Sequence, residues 1–190
     1  MPLLAASFAG AEVESEVLSS EESSKSRCKL PLLKCDEGEI SGAGAISKYI
    51  LATKGSPLLT DGDFAQVEQW SNWSASNLNP SATAIVYLLT GQAESQHDKV
   101  FTVAVDEFKT NLKVLDSHLE GKSFIVGDTM TLADLITAFH IHFAFTSAIN
   151  NTNRLSVKNV LNWFNSVIEK DEYKNVMGRA FFRNNPMKPK

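Results

Sequence analysis

The residues best suited to chemistry are few, and their spacing argues against a catalytic or metal centre. His140 and His142 are two positions apart in a helical stretch, so their side chains point to different faces and cannot jointly hold a metal ion. Cys28 and Cys35 are seven apart, which fits neither a redox Cys-x-x-Cys motif nor a zinc ribbon. We therefore expect two reduced thiols, histidines that belong to the core or its edge, no metal and no cofactor.

Asp134 is the acid with the most specific local context, and that context is structural. Thr131 can cap a helix by accepting from the amide of Asp134, while the Asp134 carboxylate accepts from the amide of Thr131. Met130 before the cap and Leu135 in the first turn complete the pattern of a hydrophobic staple. Because this pattern explains an acid at position 134 without catalysis, we interpret the four residues as a folding determinant.

Helices must position these residues, and apolar spacing predicts helices over the larger part of the chain. A continuous stripe predicts a helix over 98–119, and it comprises Phe101, Val105, Phe108, Leu112, Leu115 and Leu119. Residues 131–149 are apolar nearly all round, which predicts a helix buried on most faces. Further helices are predicted over 63–76, where we expect Trp70 in the helical core, and over 156–168 and 172–177.

The first third of the chain has a different pattern. Residues 3–50 are short apolar pieces broken by Gly and Ser, typical of short strands and one or two helices, with a solvated polar loop over 19–27. Pro31 lies inside an apolar piece, where a central strand tolerates it only at its start or with a special geometry such as a cis peptide bond. The stretch Lys54-Gly55-Ser56-Pro57 predicts a linker to the helical region.

Composition excludes several classes of protein. The 190 residues carry a formal net charge of −4 and are 43% hydrophobic, which favours a folded protein with a real core and disfavours a global nucleic-acid or anionic-membrane role. No apolar run reaches the length of a membrane span, and the N-terminus lacks the basic region of a secretory signal. We expect a cytoplasmic protein that binds nucleic acid weakly or not at all.

Three segments resemble glutathione transferases, in the order that this family has them. Residues 120–135 (EGKSFIVGDTMTLADL) resemble the start of a capped, buried helix of the helical domain, 29–33 (KLPLL) the cis-proline strand of the thioredoxin-like half, and 45–50 (AISKYI) a following helix. The resemblance implies an α+β to mostly α fold. It implies a reduced thioredoxin-like half over 1–55, an all-helical transferase C-terminal domain over 56–178, and a basic tail or linker over 179–190.

Softer matches point to the translation-associated branch of that family. Residues 4–13 (LAASFAGAEV), 67–70 (VEQW), 163–164 (WF) and 173–178 (YKNVMG) resemble the N-terminal domain of the elongation factor 1 gamma subunit. Related domains are appended to aminoacyl-tRNA synthetases and their scaffold proteins. The resemblance thus implies a translation protein rather than a detoxifying enzyme.

The resemblance also implies that the transferase chemistry is absent. On this resemblance the chain is expected to begin inside the family's first helix, without the strand and loop that carry the thiolate-stabilising residue, so either residues 2–7 form a substitute strand or the sheet is reduced with an open edge. Gly42 and Ala43 stand where the family has an acid and a hydroxyl for the γ-glutamyl end of glutathione. Ser7, Cys28 and Cys35 are the only other candidates for a nucleophile or thiolate stabiliser, and we expect no catalytic residue.

These patterns predict a non-catalytic assembly module of the translation machinery. The expected partner is the elongation factor 1 exchange subunit or a synthetase with a transferase-like domain, and a homodimer is also compatible. Trp73 and Tyr87, the latter in the apolar run 85–89, are the candidate interface residues, although the run also fits an ordinary buried helix. The alternatives are a scaffold or appended domain of a synthetase complex and a divergent glutathione S-transferase.

Overall fold

A computed structural model describes residues 1–17, 30–93 and 99–189. The expected loop 19–27, together with Cys28, Lys29 and Asp98, lies outside the described residues. The chain divides into two compact units, Met1–Thr60 and Asp61–Lys190. The division comes five residues later than the 55/56 boundary expected from the sequence, because the short helix Pro57–Thr60 packs on the preceding helix, Ala43–Thr53.

The first unit is a two-stranded sheet with helices. Its elements are α1 (Pro2–Ala9), β1 (Leu32–Cys35), β2 (Gly38–Ser41), α2 (Ala43–Thr53) and α3 (Pro57–Thr60). The strands pair antiparallel with Leu32 opposite Ser41 and Cys35 opposite Gly38. Helices α1 and α2 pack together, and a small core of Ala6, Ile46 and Ile50 lies between these helices and partly buried strand residues.

The backbone of the first unit decides between the two alternatives for its sheet and shows the geometry of Pro31. Residues 2–9 are helical and end at Gly10 in the left-handed conformation (φ 60°), so the alternative of a substitute strand over 2–7 is wrong. Among the described residues the sheet has two strands, as in the reduced-sheet alternative. The Leu30–Pro31 peptide bond is cis, which confirms the special geometry predicted for Pro31, and the Pro31 carbonyl accepts from Gly42 N–H at 3.0 Å.

The second unit is helical throughout its regular structure. Its elements are α4 (Phe64–Trp73), a π-helical turn (Ser74–Leu78), α5 (Asn79–Thr90), α6 (Lys99–His118), α7 (Leu132–Ser147), α8 (Asn151–Leu155), α9 (Lys158–Ile168) and α10 (Asp171–Met177). The predicted helices agree within a few residues, and Asp63 caps α4 by accepting from Gln66 N–H at 2.9 Å. Apolar spacing did not predict the π-helical turn, through which α4 continues into α5, or the short helix α8.

Helix α7 is the core axis of this unit, as its all-round apolar sequence predicted. Twelve of its sixteen residues are buried, and it packs against α4, the π-helical turn, α5 and α9. The four that are not fully buried, Phe139, His140, His142 and Phe143, lie together in its middle turns. The helix is therefore buried on all faces over its first two turns, and its partly exposed aromatic and imidazole side chains follow at positions 139–143.

Arg154 is an unexpected buried cation in the second unit. It is 1% exposed, and its guanidinium donates to the backbone carbonyls of Phe145, Ile149 and Arg183. The guanidinium also lies 5.3 Å from the centroid of the Phe182 ring. Carbonyl acceptors and the aromatic face compensate its desolvation, because a buried charge without partners is strongly unfavourable.

The described part of the C-terminal segment, for which the sequence predicts a basic tail or linker over 179–190, is hydrogen-bonded to the helical unit. Arg183 N–H donates to Thr146 O and Met187 N–H donates to Ser147 O, each at 2.9 Å. These carbonyls lie in the last turn of α7, where helical carbonyls lack intrahelical partners. The prediction of a linker here came from the basic composition. Composition does not indicate backbone hydrogen bonds of this kind, because the backbone groups are the same at every residue.

Replacing Arg154 tests this attachment. We expect Arg154→Lys to lower the free energy of unfolding by about 2–4 kcal/mol, because a single ammonium cannot serve three carbonyls in the fork geometry of a guanidinium. Urea unfolding followed by circular dichroism measures the change. Arg183→Lys is the matched control, since the side chain of Arg183 is exposed, and it is expected to cost less than about 0.5 kcal/mol. Equal effects of the two variants would contradict this interpretation.

Candidate functional site

The capping box predicted at the start of α7 is present and is the best-connected polar site of the second unit. The Thr131 N–H donates to Asp134 Oδ2 at 2.8 Å, and the Thr131 hydroxyl donates to the same oxygen at 3.0 Å. Both residues are fully buried, as are the two staple residues Met130 and Leu135. The local structure that the sequence pattern predicted is confirmed.

The tertiary structure gives Asp134 two further partners. Its Oδ1 accepts from the Ile125 N–H and from the Trp163 indole N–H, each at 2.8 Å. Burial raises the pKa of this carboxyl, and the four hydrogen bonds act in the opposite direction. One side chain thus connects the loop before α7, the first turn of α7 and helix α9. Because both carboxylate oxygens accept hydrogen bonds from protein groups, the environment of Asp134 is that of a structural residue.

The two histidines of α7 have separate partners. His140 Nδ1 is 2.9 Å from Ser74 Oγ in the π-helical turn, and His142 Nδ1 is 3.1 Å from Tyr173 Oη. Burial lowers the pKa of His140 to about 4 and lowers that of His142 as well. In the described part of the chain, no group of His, Cys, Asp and Glu side chains could hold a metal ion. Both histidines are therefore half-buried, hydrogen-bonded side chains at the edge of the core.

The candidate nucleophiles are in the first unit. Cys35 is a half-buried free thiol that donates to Gly38 O at 3.2 Å, and Ser7 is half-buried in α1. Cys28 lies outside the described residues. Gly42 is the N-cap of α2 and provides no side-chain hydrogen bond, with φ at 93°. The position where the resemblance implies an acid is thus a backbone turn without a functional group.

The structure separates the two candidate interface residues. Tyr87 is 46% exposed on α5, while its neighbours Ile85, Leu88 and Leu89 are buried, so the apolar run is an ordinary amphipathic helix with one outward ring. Trp73 is half-buried against Trp70, with ring centroids 5.1 Å apart in an edge arrangement. Tyr87 is therefore the more accessible of the two.

Trp70 is not a core residue, contrary to the sequence prediction. It is half-buried and lies 3.8 Å, centroid to centroid, from the ring of His118, whose Nε2 is 2.7 Å from Ile125 O. Burial lowers the pKa of His118. Helical spacing placed Trp70 on the inward face of α4, but a large ring at the helix edge packs equally well on a neighbouring imidazole.

Helix α6 adds exposed apolar residues that the sequence analysis did not single out. Val100, Val103 and Val114 are 44%, 62% and 48% exposed. They are exposed on a helix whose apolar stripe is buried, and α6 packs beside α5, which carries Tyr87. Single exposed valines are common, so only their place on the helix that packs beside α5 distinguishes them.

Comparison with known proteins assigns this architecture. Residues 78–171 match the family model of the glutathione S-transferase C-terminal domain. The structure is similar to the GST-like domain of elongation factor 1-gamma from Saccharomyces cerevisiae, with a TM-score of 0.82 over 100% of this chain and 92% of that one, at 20% identity. The fold is glutathione transferase-like. The expected thioredoxin-like and helical halves are thereby confirmed as a fold class.

Sequence comparison places relatives of this transferase-like chain among translation proteins. It is 35% identical over 117 residues to elongation factor 1-gamma-A of Xenopus laevis, covering 61% of this chain and 26% of that protein. It is 32% identical over 115 residues to valine–tRNA ligase of Takifugu rubripes, covering 60% of this chain and 9% of the ligase. The chain therefore spans about a quarter of the first relative and under a tenth of the second.

Asp134→Asn tests the buried carboxylate. We expect it to lower the free energy of unfolding by about 3–5 kcal/mol, because an amide has one acceptor oxygen and turns its NH₂ group toward two of the four donors. Chemical denaturation measures the loss. Asp128→Asn, at an exposed acid in the preceding loop, is the matched control and should change stability by less than about 0.5 kcal/mol. A loss as small as that of the control would show that the network is dispensable.

His140 predicts an acid-sensitive stability. Since burial lowers the pKa of His140 in the folded state to about 4, below the ordinary histidine value of 6.5, the folded state favours the neutral ring. Its contribution to stability is complete above pH 6.5 and is lost as pH falls toward 4. We expect His140→Gln to remove roughly 1–3 kcal/mol of the stability lost by the wild type across that interval. Unfolding curves at several pH values provide the measurement. Parallel pH profiles of variant and wild type would refute this assignment.

Proposed function

We propose that this chain is a non-catalytic, cytoplasmic protein–protein assembly module of the translation machinery. The observation that carries the proposal is the 35% identity to an elongation factor 1-gamma protein, within a transferase-like fold. The proposed partner is the nucleotide-exchange subunit of elongation factor 1. Among the described residues no helix is long and apolar enough to cross a bilayer.

The proposal assigns no glutathione chemistry to this chain, and the residue types at Gly42 and Ala43 support that part of it. In glutathione transferases, as the sequence resemblance implies, an acid and a hydroxyl at this place hold the γ-glutamyl end of the substrate. Gly42 and Ala43 have no side-chain group that could donate to or pair with that end, and Gly42 is used to turn the backbone into α2. Ligand binding at this place would depend on backbone amides alone.

The proposed docking surface is the outward face of α5 and α6. Tyr87 provides a large ring with a polar hydroxyl, and Val103 and Val114 provide apolar area on the adjacent helix. Aromatic residues anchor protein interfaces because they bury much area at a low cost in side-chain entropy. The buried side of α5 packs on α7, and that of α6 packs on α5, α9 and the π-helical turn, which supports that surface.

The similarity to valine–tRNA ligase favours one second candidate, a scaffold or appended domain of a synthetase complex. Its physical basis is the same docking surface, and only the partner differs. A divergent glutathione S-transferase is the third candidate, since solved transferases share the fold. Binding measurements with each partner class separate these candidates.

Tyr87→Ala tests the assembly proposal. We expect it to weaken binding of the recombinant elongation factor 1 exchange subunit by about 2 kcal/mol, roughly thirtyfold, measured by isothermal titration calorimetry. Phe181→Ala is the matched control: Phe181 is also an aromatic residue, 80% exposed, on the C-terminal segment, and its loss should leave the affinity unchanged.

Two other outcomes would redirect the assignment. Binding only to a synthetase carrying a transferase-like domain would favour the scaffold candidate. Retention on immobilised glutathione together with turnover of an aryl halide would refute the non-catalytic proposal and favour the divergent transferase.

A further inference from the structure

The outer edge of strand β1 has hydrogen-bonding groups that point away from β2. In an antiparallel pair, residues alternate between those bonded to the partner strand and those whose N–H and C=O face outward. Gly42 N–H donates to Pro31 O at 3.0 Å, and the register then makes Leu33 with Ile40 and Cys35 with Gly38 the bonded pairs. The N–H and C=O groups of Leu32 and Lys34 therefore face the outer edge.

These outward groups have no backbone partner within the part of the chain that the structure describes. The sheet there consists of β1 and β2 alone, and the turn and loop hydrogen bonds do not involve Leu32 or Lys34. An unpaired edge is a template for another strand, because its spacing matches only an extended polypeptide. Lys34 is exposed, so no side chain packing fixes its position.

An apolar surface lies beside this edge. Leu33 of β1 and Val13 of the segment 11–17 both pack against the cluster of Ala6, Ile46 and Ile50, although both remain partly exposed. The segment and the strand therefore border one small core without completing its cover. A strand added at the edge would direct every second side chain toward this core.

The acidic residues of the first unit favour basic side chains at the alternate, solvent-facing positions of such a strand. Its described residues include the exposed acids Glu12, Glu14, Glu16, Asp36, Glu37 and Glu39, against the cations Lys34, Lys48 and Lys54. Glu12 and Glu14 flank Val13 directly, so they lie on the opposite, solvent-facing side of the same segment. Basic side chains in an added strand would face an acidic environment.

We propose that the outer edge of β1 is a docking site for an extended polypeptide strand in which apolar and basic residues alternate. Leu32 and Lys34 supply its main-chain hydrogen bonds, the surface of Leu33 and Val13 receives the apolar side chains, and the acids beside Val13 attract the basic ones. This site is in the first unit and does not rest on the proposed function, whose docking surface is in the second unit. Either proposal can fail without the other.

The experiment uses the full chain and a fluorescently labelled synthetic peptide of alternating lysine and valine, capped at both ends. Fluorescence anisotropy measures its affinity at low salt. We expect Lys34→Pro to weaken binding by roughly tenfold or more, because proline removes the outward N–H but leaves the bonds between β1 and β2. Lys34→Gln is the matched control: it keeps the N–H and removes a like charge, so binding stays the same or becomes tighter.

A second arm does not depend on the folding of a variant. The wild-type chain is titrated with peptides N-methylated either at the residues whose N–H would face β1 or at the alternate residues. We expect one of the two peptides to lose binding and the other to retain it, and hydrogen exchange to slow at the amides of Leu32 and Lys34 when the capped peptide is bound.

Three results with the peptides would overturn the proposal. These are no binding of the basic peptide, equal binding of both N-methylated peptides, and equal affinity of an otherwise identical peptide with glutamate in place of lysine. Protection of the Leu32 and Lys34 amides that grows with protein concentration in the absence of peptide would instead assign the edge to a second copy of this chain, and would equally overturn it.

Discussion

The second unit depends on one buried carboxylate. Asp134 takes a hydrogen bond from each of three structural parts, the loop at Ile125, the helix start at Thr131 and the indole of Trp163 in α9. A carboxylate without these partners could not be buried, because the desolvation of the charge would be uncompensated. The donors in turn would be buried without an acceptor. This mutual requirement fixes where α7 begins and against what it packs.

A buried charged side chain with hydrogen-bond partners also lies at the other end of α7. Arg154 is as buried as Asp134, but its partners are carbonyls, and one of them belongs to the C-terminal segment. A cation beside the end of α7 suits the partial negative charge of its last carbonyls, as an anion at the start suits the amides. The core helix is thus capped at both ends by buried ionic side chains from or near its own termini. Between them α7 packs mostly through apolar side chains, with His140 and His142 hydrogen-bonded to Ser74 and Tyr173, and it supports the outer helix α5, which carries Tyr87.

The first unit has a small sheet and a small apolar cluster beside it. The cluster beside its sheet has three buried side chains, Ala6, Ile46 and Ile50, with partly exposed neighbours, and its described sheet has two strands. A sheet this small provides little apolar burial, and its free edge remains able to pair. The contrast between a helical unit with a large apolar core and an incompletely covered sheet is why the two proposed docking modes differ: side-chain anchoring on helices in one unit, main-chain pairing in the other.

The sequence by itself determined the apolar helical stripes, the capping box and the special geometry at Pro31, because each depends on residues that are close together along the chain. Periodicity located α6 and α7 within a few residues, and the pair Thr131 and Asp134 predicted the start of α7 from four consecutive positions. Only the tertiary structure decided the second pair of donors to Asp134, the half-exposed position of Trp70, the carbonyl site of Arg154 and the attachment of the C-terminal segment. These depend on backbone groups and on side chains far apart in sequence, and a backbone N–H or C=O is the same at every residue, so no pattern of residue types could reveal which of them would meet.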